Sequence, residues 1–193
     1  MYKLITIEDK VRVDPKKFDM DIKSAIKKSL QETVESKLNP EVGYMLSVDE
    51  ILKIGEGRIY PGDGAIYYDV MYRMLAFMPV VNEIVMGEIV DVASFGAFIR
   101  IGPLDAMAHI SQSMDDKVTF DKKNSIFIGK KTKKTLKEGD IVRARIVSIS
   151  LSKNEKKIAL TMRSKLLGNI KYIEQMKKRV KKWRSEHVEI VKE

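Results

Sequence analysis

The first part of the chain alternates between apolar and polar positions in a way that predicts strands around a single helix. A period of two predicts three strands, over residues 2–13, 43–54 and 65–80. Apolar residues three and four positions apart predict an amphipathic helix over residues 20–38. Asp19 or Asp21 is expected to cap its start, and Asn39-Pro40 to end it. These elements indicate a small domain that mixes helix and strand.

A glycine-rich segment, residues 55–64, separates the second and third predicted strands. Its four glycines and one proline predict a projecting loop rather than a tight hairpin. The simplest interpretation is a connector, and the alternative is a docking tip that exposes Ile59 and Tyr60. No lysine follows the glycines as a phosphate-binding P-loop requires, so the segment does not indicate nucleotide binding.

Beyond Met78-Pro79-Val80 the pattern changes to short strands separated by turn signals. Five strands are predicted, over residues 82–92, 95–101, 104–109, 139–150 and 156–162. Five short strands are typical of a closed OB barrel. The interval 112–138 is rich in lysine and is interpreted as a basic, partly mobile insert. Helical periodicity returns over residues 165–184. We therefore divide the chain into an N-terminal domain, a barrel and a C-terminal helix with its tail, over residues 1–80, 81–164 and 165–193.

Composition favours a polyanionic partner and argues against several other classes of protein. The net charge is +9 and the pI is about 9.5, which suits phosphate binding, although many small basic proteins bind no nucleic acid. The chain has no cysteine and only two histidines, so neither a metal site nor a cofactor is predicted. No apolar run is long enough for a membrane span, and the N-terminus lacks a signal-peptide pattern, so a cytoplasmic location is expected.

Aromatic and basic residues of the barrel are candidates for contact with unpaired bases. Phe95 and Phe98 flank Gly96 at a bend, where exposed rings would stack on bases and buried rings would join the core. Arg143 and Arg145 alternate with apolar residues and are predicted to share one face of a strand. Lysines of the insert add positive charge. The full predicted RNA-binding set is Phe95, Phe98, Arg100, His109, Lys130, Lys131, Arg143 and Arg145.

Over residues 82–164 the chain resembles the S-one RNA-binding domain. The motifs that carry the resemblance are Gly87-Glu88-Ile89-Val90, Phe95-Gly96-Ala97-Phe98-Ile99, His109-Ile110-Ser111, Gly139-Asp140-Ile141-Val142 and Ile158-Ala159-Leu160-Thr161-Met162-Arg163. Three features depart from that family. Ala106 replaces a frequent glycine, Ser150 replaces a common aspartate, and the insert is longer than in a minimal domain.

Nearly the whole chain, to about residue 184, is similar to the larger stalk subunits of archaeal RNA polymerases. The amino-terminal motifs behind this are Met1-Tyr2-Lys3-Leu4, Asp14-Pro15, Glu41-Val42-Gly43-Tyr44, Tyr68-Asp69-Val70 and Phe77-Met78-Pro79. The resemblance implies an α+β, truncated RNP-like domain followed by an all-β OB-fold barrel. It also implies a heterodimer with the smaller stalk subunit, attachment to the polymerase core, and non-catalytic capture of emerging single-stranded RNA. The implied core-docking residues are Gly55, Gly57, Arg58, Ile59, Tyr60, Pro61, Gly62 and Gly64.

Two other functions remain as alternatives at this stage. A stand-alone S-one protein acting in translation or RNA decay would keep the barrel and change the partner. A magnesium-dependent nuclease would need clustered carboxylates. Asp115-Asp116 is an acidic pair, but no third carboxylate is close in sequence, and the simplest interpretation is a solvated turn.

Overall fold

The computed structural model describes residues 1–152 and 156–187, with side chains described as far as residue 181. The chain forms two compact units, one built mainly from Met1–Pro79 and one that begins at Val80. This division falls within the Met78-Pro79-Val80 segment at which the hydrophobic pattern changes. The predicted tail beyond residue 187 lies outside the described residues.

The first unit is a four-stranded antiparallel sheet with one helix against it. Its strands lie in the order β1-β4-β3-β2. The elements are β1 (Tyr2–Val13), α1 (Ile22–Val34), β2 (Leu38–Asn39), β3 (Gly43–Ile59) and β4 (Ile66–Phe77). The buried side of α1, including Ile26 and Leu30, packs against alternate residues of β1, β3 and β4. The period-two pattern therefore identified the face of the sheet that the helix covers.

The helix ends earlier than its apolar periodicity predicted. Helix α1 stops at Val34, not at Leu38. Ser36 has a φ of 61°, a left-handed conformation that turns the chain back. Its N–H then donates to the carbonyl of Met45 at 2.8 Å, and Leu38 pairs with Tyr44 in a short edge strand. The prediction was wrong here because Leu38 fits the helical spacing and also suits a strand.

Half of the glycine-rich segment is strand and half is loop. Strand β3 continues through Gly55 and Gly57 to Ile59, so only residues 60–64 of the predicted loop connect the strands of a long β3–β4 hairpin. A β-carbon at Gly57 would lie 2.8 Å from the ring of Tyr68. Any larger residue at this position would require the Tyr68 and Ile66 side chains to shift.

The second unit contains the predicted five-stranded closed barrel. Its strands are β5 (Ile84–Ala93), β6 (Gly96–Ile101), β7 (Leu104–His109), β11 (Ile141–Leu151) and β12 (Lys156–Thr161). They lie in the order β12-β7-β6-β5-β11, and pairing of β12 with β11 closes the barrel. Alternate residues fill the interior, including Ile89, Ile99 and Ile146, which have no exposed surface. A side chain at Gly87 would meet the carbonyl of Arg100, so the strands approach closely there.

The insert forms a small sheet, and the expectation that parts of it are mobile stays a prediction. It forms β8 (Val118–Asp121), β9 (Ile126–Gly129) and β10 (Thr135–Leu136), in the order β10-β9-β8. Phe120 and Phe127 are register partners with ring centroids 5.9 Å apart. Phe127 is fully buried. This apolar pair gives the insert a core of its own despite its many lysines.

The C-terminal helix begins later than predicted. Residues 168–169 form β13 (Gly168–Asn169), which pairs with β11, and α2 spans Ile170–His187. The side-chain carbonyl of Asn169 accepts from the N–H of Lys171 at 2.9 Å and satisfies a free donor of the first helical turn. Ile173 is buried, but Met176 and Val180 are exposed. Only the first part of the predicted apolar stripe therefore packs against the second unit.

Candidate nucleic-acid interface

Two aromatic rings lie together at the turn between β5 and β6. Phe95 is 52% exposed, and Phe98 is half-buried on the outer wall of β6. Their ring centroids are 5.9 Å apart at an interplanar angle of 87°. The carbonyl of Phe95 accepts from the N–H of Ile110 at 2.9 Å, which fixes the turn to the end of β7. Phe95 keeps this edge-to-face contact with Phe98 and still exposes about half of its surface to solvent.

His109 lies beside this pair on the neighbouring strand. It is opposite Gly96 in the β6–β7 register and is exposed. Its Nδ1 accepts from the N–H of Ser111 at 3.3 Å and lies 2.9 Å from the Ser111 hydroxyl. Because Nδ1 accepts, Nε2 carries the proton of the neutral ring and remains a donor. Met107, opposite Phe98 on the same outer wall, is half-buried and was missed from the sequence. The alternation along β7 was the signal that could have found it.

Arg100 is exposed on the same wall but is partly neutralised. Its Nε donates to the Asp105 carboxylate at 3.2 Å, and Glu88 is its register partner on β5. Acidic neighbours on two sides reduce the attraction of this guanidinium for phosphate. Arg100 is therefore a weaker anion site than its sequence position indicated.

Arg143 and Arg145 share the outer face of β11, as their spacing predicted, but they lie apart from the rings. Arg143 pairs with Met86 of β5, whereas Phe98 pairs with Asp91 of the same strand. Met86 and Asp91 are five residues apart on β5, which corresponds to about 16 Å along the strand. Among the described residues, Arg12, Arg73 and Arg100 form ion pairs, and neither Arg143 nor Arg145 does. The structure thus divides the predicted set into an aromatic end and a basic end.

Lys130 and Lys131 lie in the exposed turn between β9 and β10. Asp116, interpreted from sequence as a solvated residue, holds this turn. Its Oδ2 accepts from the N–H groups of Lys131 and Thr132 at 2.9 and 2.8 Å. These bonds, chiefly that from the Thr132 backbone, lower the pKa of Asp116. The role of Asp116 was missed because its partners are fifteen and sixteen residues away in sequence.

The predicted docking residues lie at the end of the β3–β4 hairpin in the first unit. Ile59 is 69% exposed, the largest fraction among the exposed large hydrophobic residues of the described chain. Tyr60 packs edge-to-face on Tyr67, and its hydroxyl accepts from Lys10 Nζ at 3.2 Å. The hairpin end therefore presents an apolar tip on an ordered base.

Asp63 fixes the base of this hairpin end. Its carboxylate accepts two bonds from Arg12, at 2.9 and 2.8 Å, and one from the Tyr67 hydroxyl at 2.7 Å. These bonds, led by the Arg12 pair, hold the pKa of Asp63 well below its usual value. Asp63 stands inside the predicted docking segment but was not among the predicted residues.

Neither a metal site nor a membrane span is indicated by the geometry. Within residues 1–152 and 156–187, no three His, Asp or Glu side chains converge to hold an ion. In the same part of the chain, no helix has the length and apolar character needed to cross a bilayer.

Comparison with known proteins identifies both domains and the family. Residues 8–64 match the "SHS2 domain found in N terminus of Rpb7p/Rpc25p/MJ0397", and residues 79–163 match the "S1 RNA binding domain". The DNA-directed RNA polymerase subunit Rpo7 of Saccharolobus shibatae is 37% identical over 180 residues, which cover 92% of this chain and all of that protein. The chain belongs to the Rpo7 family. Subunit Rpo7 of Sulfolobus acidocaldarius is 38% identical, covering 91% of this chain and 96% of that protein.

The Rpo7 match confirms the family and the fold class predicted from sequence. The two domain matches occur in the predicted order, with the RNP-like domain before the OB barrel. DNA-directed RNA polymerase III subunit RPC8 of Bos taurus is 26% identical over 128 residues, 66% of this chain and 63% of that protein. A solved structure, RNase R of Mycoplasma genitalium, is 28% identical over 42% of this chain and 13% of that chain, with a TM-score of 0.37.

Proposed function

We propose that this Rpo7-family chain is the non-catalytic stalk subunit of an RNA polymerase and that its barrel binds single-stranded RNA as the transcript leaves the enzyme. The observation that carries the RNA-binding part is the exposed Phe95 ring beside Phe98 and His109. Aromatic faces stack on any base, at about 1–3 kcal/mol per base. Such a site captures a transcript of any sequence, which is what a general transcription subunit requires.

Positive charge supports the same assignment. The chain carries a net charge of +9, and Arg143 and Arg145, unlike Arg12, Arg73 and Arg100, form no ion pair among the described residues. Phosphates that bind such groups release counterions, so affinity falls as salt rises. Stacking on a neutral ring contributes affinity without this salt dependence. The two kinds of contact can therefore be separated experimentally.

The test is a titration of fluorescent oligouridine with the Phe95→Ala variant. Loss of one stacked base should weaken binding about 5- to 150-fold, with no change in the slope of affinity against salt. Because Phe95 is 52% exposed, the variant should fold normally. Ile22→Ala is the matched control, since Ile22 is 54% exposed but lies on helix α1 of the first unit. Equal affinities of the two variants would refute the stacking site.

We also propose that the hairpin end, residues 55–64, docks on the polymerase core and that the first unit binds a smaller stalk subunit. The exposed tip residue Ile59 and the ordered base formed by Arg12, Asp63 and Tyr67 support the docking role. Assembly with a polymerase that transcribes chromosomal DNA implies a cytoplasmic location in an archaeal cell. Affinity purification of the tagged chain should recover polymerase core subunits together with one small partner.

The stand-alone alternative is not favoured. A protein of translation or RNA decay would share the S1 barrel, but the match to Rpo7 of Saccharolobus shibatae covers both domains and the full length of that protein. Recovery of ribosomes or an exosome, and of no polymerase, would reverse this conclusion.

A further inference from the structure

The turn between β9 and β10 concentrates positive charge on an exposed loop. Four of the five residues from 130 to 134 are lysines, and all four are exposed. Lys10, Lys17 and Lys171 form ion pairs with carboxylates, whereas none of these four lysines does so with a described residue. Lys134 also lies 5.5 Å from the centre of the Tyr172 ring. Four like charges within one turn repel each other and would spread apart if the backbone were free to move.

The Asp116 carboxylate holds the backbone of the turn in place against this repulsion. Asp116 Oδ2 accepts from the N–H groups of Lys131 and Thr132 and from the Thr132 hydroxyl, at 2.9, 2.8 and 2.9 Å. Its Oδ1 accepts from the N–H of Lys117 at 2.6 Å. These bonds hold the carboxylate against the backbone, while the lysine ammonium groups remain available to solvent.

The sequence of the turn fits this arrangement at two further positions. A β-carbon at Gly129 would lie 2.7 Å from both Asp116 Oδ2 and the Thr132 hydroxyl, so only glycine leaves room for the carboxylate. Lys133 adopts a φ of 55°, a left-handed conformation that costs free energy for a lysine. The surrounding bonds hold that conformation, and the turn is therefore preorganised rather than merely charged.

The basic turn is close enough to the aromatic rings to act on the same RNA. Asp116 follows His109 by seven residues, and seven residues span at most about 25 Å. An OB barrel contacts about 4–16 nucleotides of a single strand. A strand whose bases stack near Phe95 can therefore reach the turn with its phosphates.

We propose that the β9–β10 turn, residues 130–134, is a second RNA-binding site, which holds phosphates of the strand whose bases stack on the barrel, and that Asp116 preorganises it. The proposal rests on the RNA-binding function proposed above and adds a separate site to it. Asp116 is a positioning residue, because its carboxylate contacts the turn and not the RNA.

The sharpest test uses a substitution whose electrostatic and positioning effects have opposite signs. Asp116→Ala removes a negative charge, so charge alone predicts tighter RNA binding. Preorganisation predicts weaker binding, by about threefold or more, because the freed lysines must be ordered on binding. Asp115→Ala is the matched control, since Asp115 is the exposed neighbour and its loss changes the charge equally. If Asp116→Ala bound a 16-nucleotide oligouridine as tightly as Asp115→Ala does, the positioning role would be overturned.

A second pair of variants keeps the test valid even if Asp116→Ala disturbs the insert. The double variant Lys130→Gln with Lys131→Gln loses two phosphate contacts, which should lower the slope of log affinity against log salt concentration by about 1.4. At 0.1 M salt this corresponds to about 25-fold weaker binding. The control is Lys122→Gln with Lys123→Gln, which removes the same charge from the other turn of the insert. Equal slopes for the two double variants would overturn the second site.

The two proposals fail in distinguishable ways. If the stacking function is wrong and the turn is a true site, Phe95→Ala leaves binding unchanged while the Lys130 and Lys131 variant weakens it. If the turn is not an RNA-binding site and the stacking function is right, Phe95→Ala weakens binding while the Lys130 and Lys131 variant leaves it unchanged. Weakening of duplex DNA binding by the same factor as oligouridine binding would show a general polyanion contact and would also overturn the turn as an RNA site.

Discussion

Ile59 provides a quantitative test of docking through the hairpin end. Ile59→Ala removes three carbon groups, each worth about 0.8 kcal/mol when fully buried. Since the side chain is 69% exposed in the free chain, docking can bury at most that share, or about 1.7 kcal/mol. This corresponds to about 17-fold weaker binding to the polymerase core. The same exposure means that the stability of the free chain should hardly change.

The assay is competition between labelled wild-type chain and each variant for polymerase core reconstituted without this subunit. Ile84→Ala is the matched control, because Ile84 is 53% exposed but lies on the barrel. We expect Ile59→Ala to compete less well by up to about 17-fold, and Ile84→Ala to compete like the wild type. If the two variants competed equally well, the hairpin end would not be the docking contact.

Two further predictions concern the stability of the two units. Tyr72→Phe should stabilise the first unit by about 1–3 kcal/mol in thermal unfolding, since the Tyr72 hydroxyl is buried without a hydrogen-bond partner among the described residues. Burial also raises the pKa of Tyr72 to about 12, so this hydroxyl stays neutral; a loss of stability would reveal a hidden partner. Gly87→Ala should destabilise the barrel by about 1–3 kcal/mol in urea unfolding, because the new methyl group meets the Arg100 carbonyl. Unchanged stability would mean that β5 and β6 can move apart there.

Strand alternation predicted the barrel well because each strand has one buried face. In β6, Ala97, Ile99 and Ile101 are buried while Phe98 and Arg100 face outward. A period of two carries this information directly, since successive side chains point to opposite faces. The exposure of Phe95 followed from its place beside Gly96 at a turn.

Features that depend on long-range contacts were not predictable in the same way. The glycines at 55 and 57 indicated a loop, yet both lie in β3, where a side chain at Gly57 would meet the Tyr68 ring. The lysines of the insert concealed the alternation that places Phe120 opposite Phe127. Composition reports net charge, whereas a sheet depends on which residues meet across strands.

The grouping of the RNA-binding residues was only partly predictable. Phe95, Phe98 and His109 meet at one end of the barrel wall because β6 and β7 are adjacent and in register. Arg143 lies farther along the wall because β11 pairs with β5 at Met86. Strand order and register, which no local pattern specifies, decide which of these side chains become neighbours.

The central claim is that the aromatic end of the barrel contacts RNA leaving the polymerase. The most direct measurement is photocrosslinking from benzoylphenylalanine placed at position 95, in a transcribing polymerase reconstituted with the full chain, as the transcript is lengthened stepwise. The account predicts crosslinks to RNA that appear once the transcript reaches the stalk, and none from the same probe at position 22, which is exposed on helix α1 of the first unit. Absence of crosslinks from position 95 at every transcript length, or equal crosslinking from both positions, would contradict it.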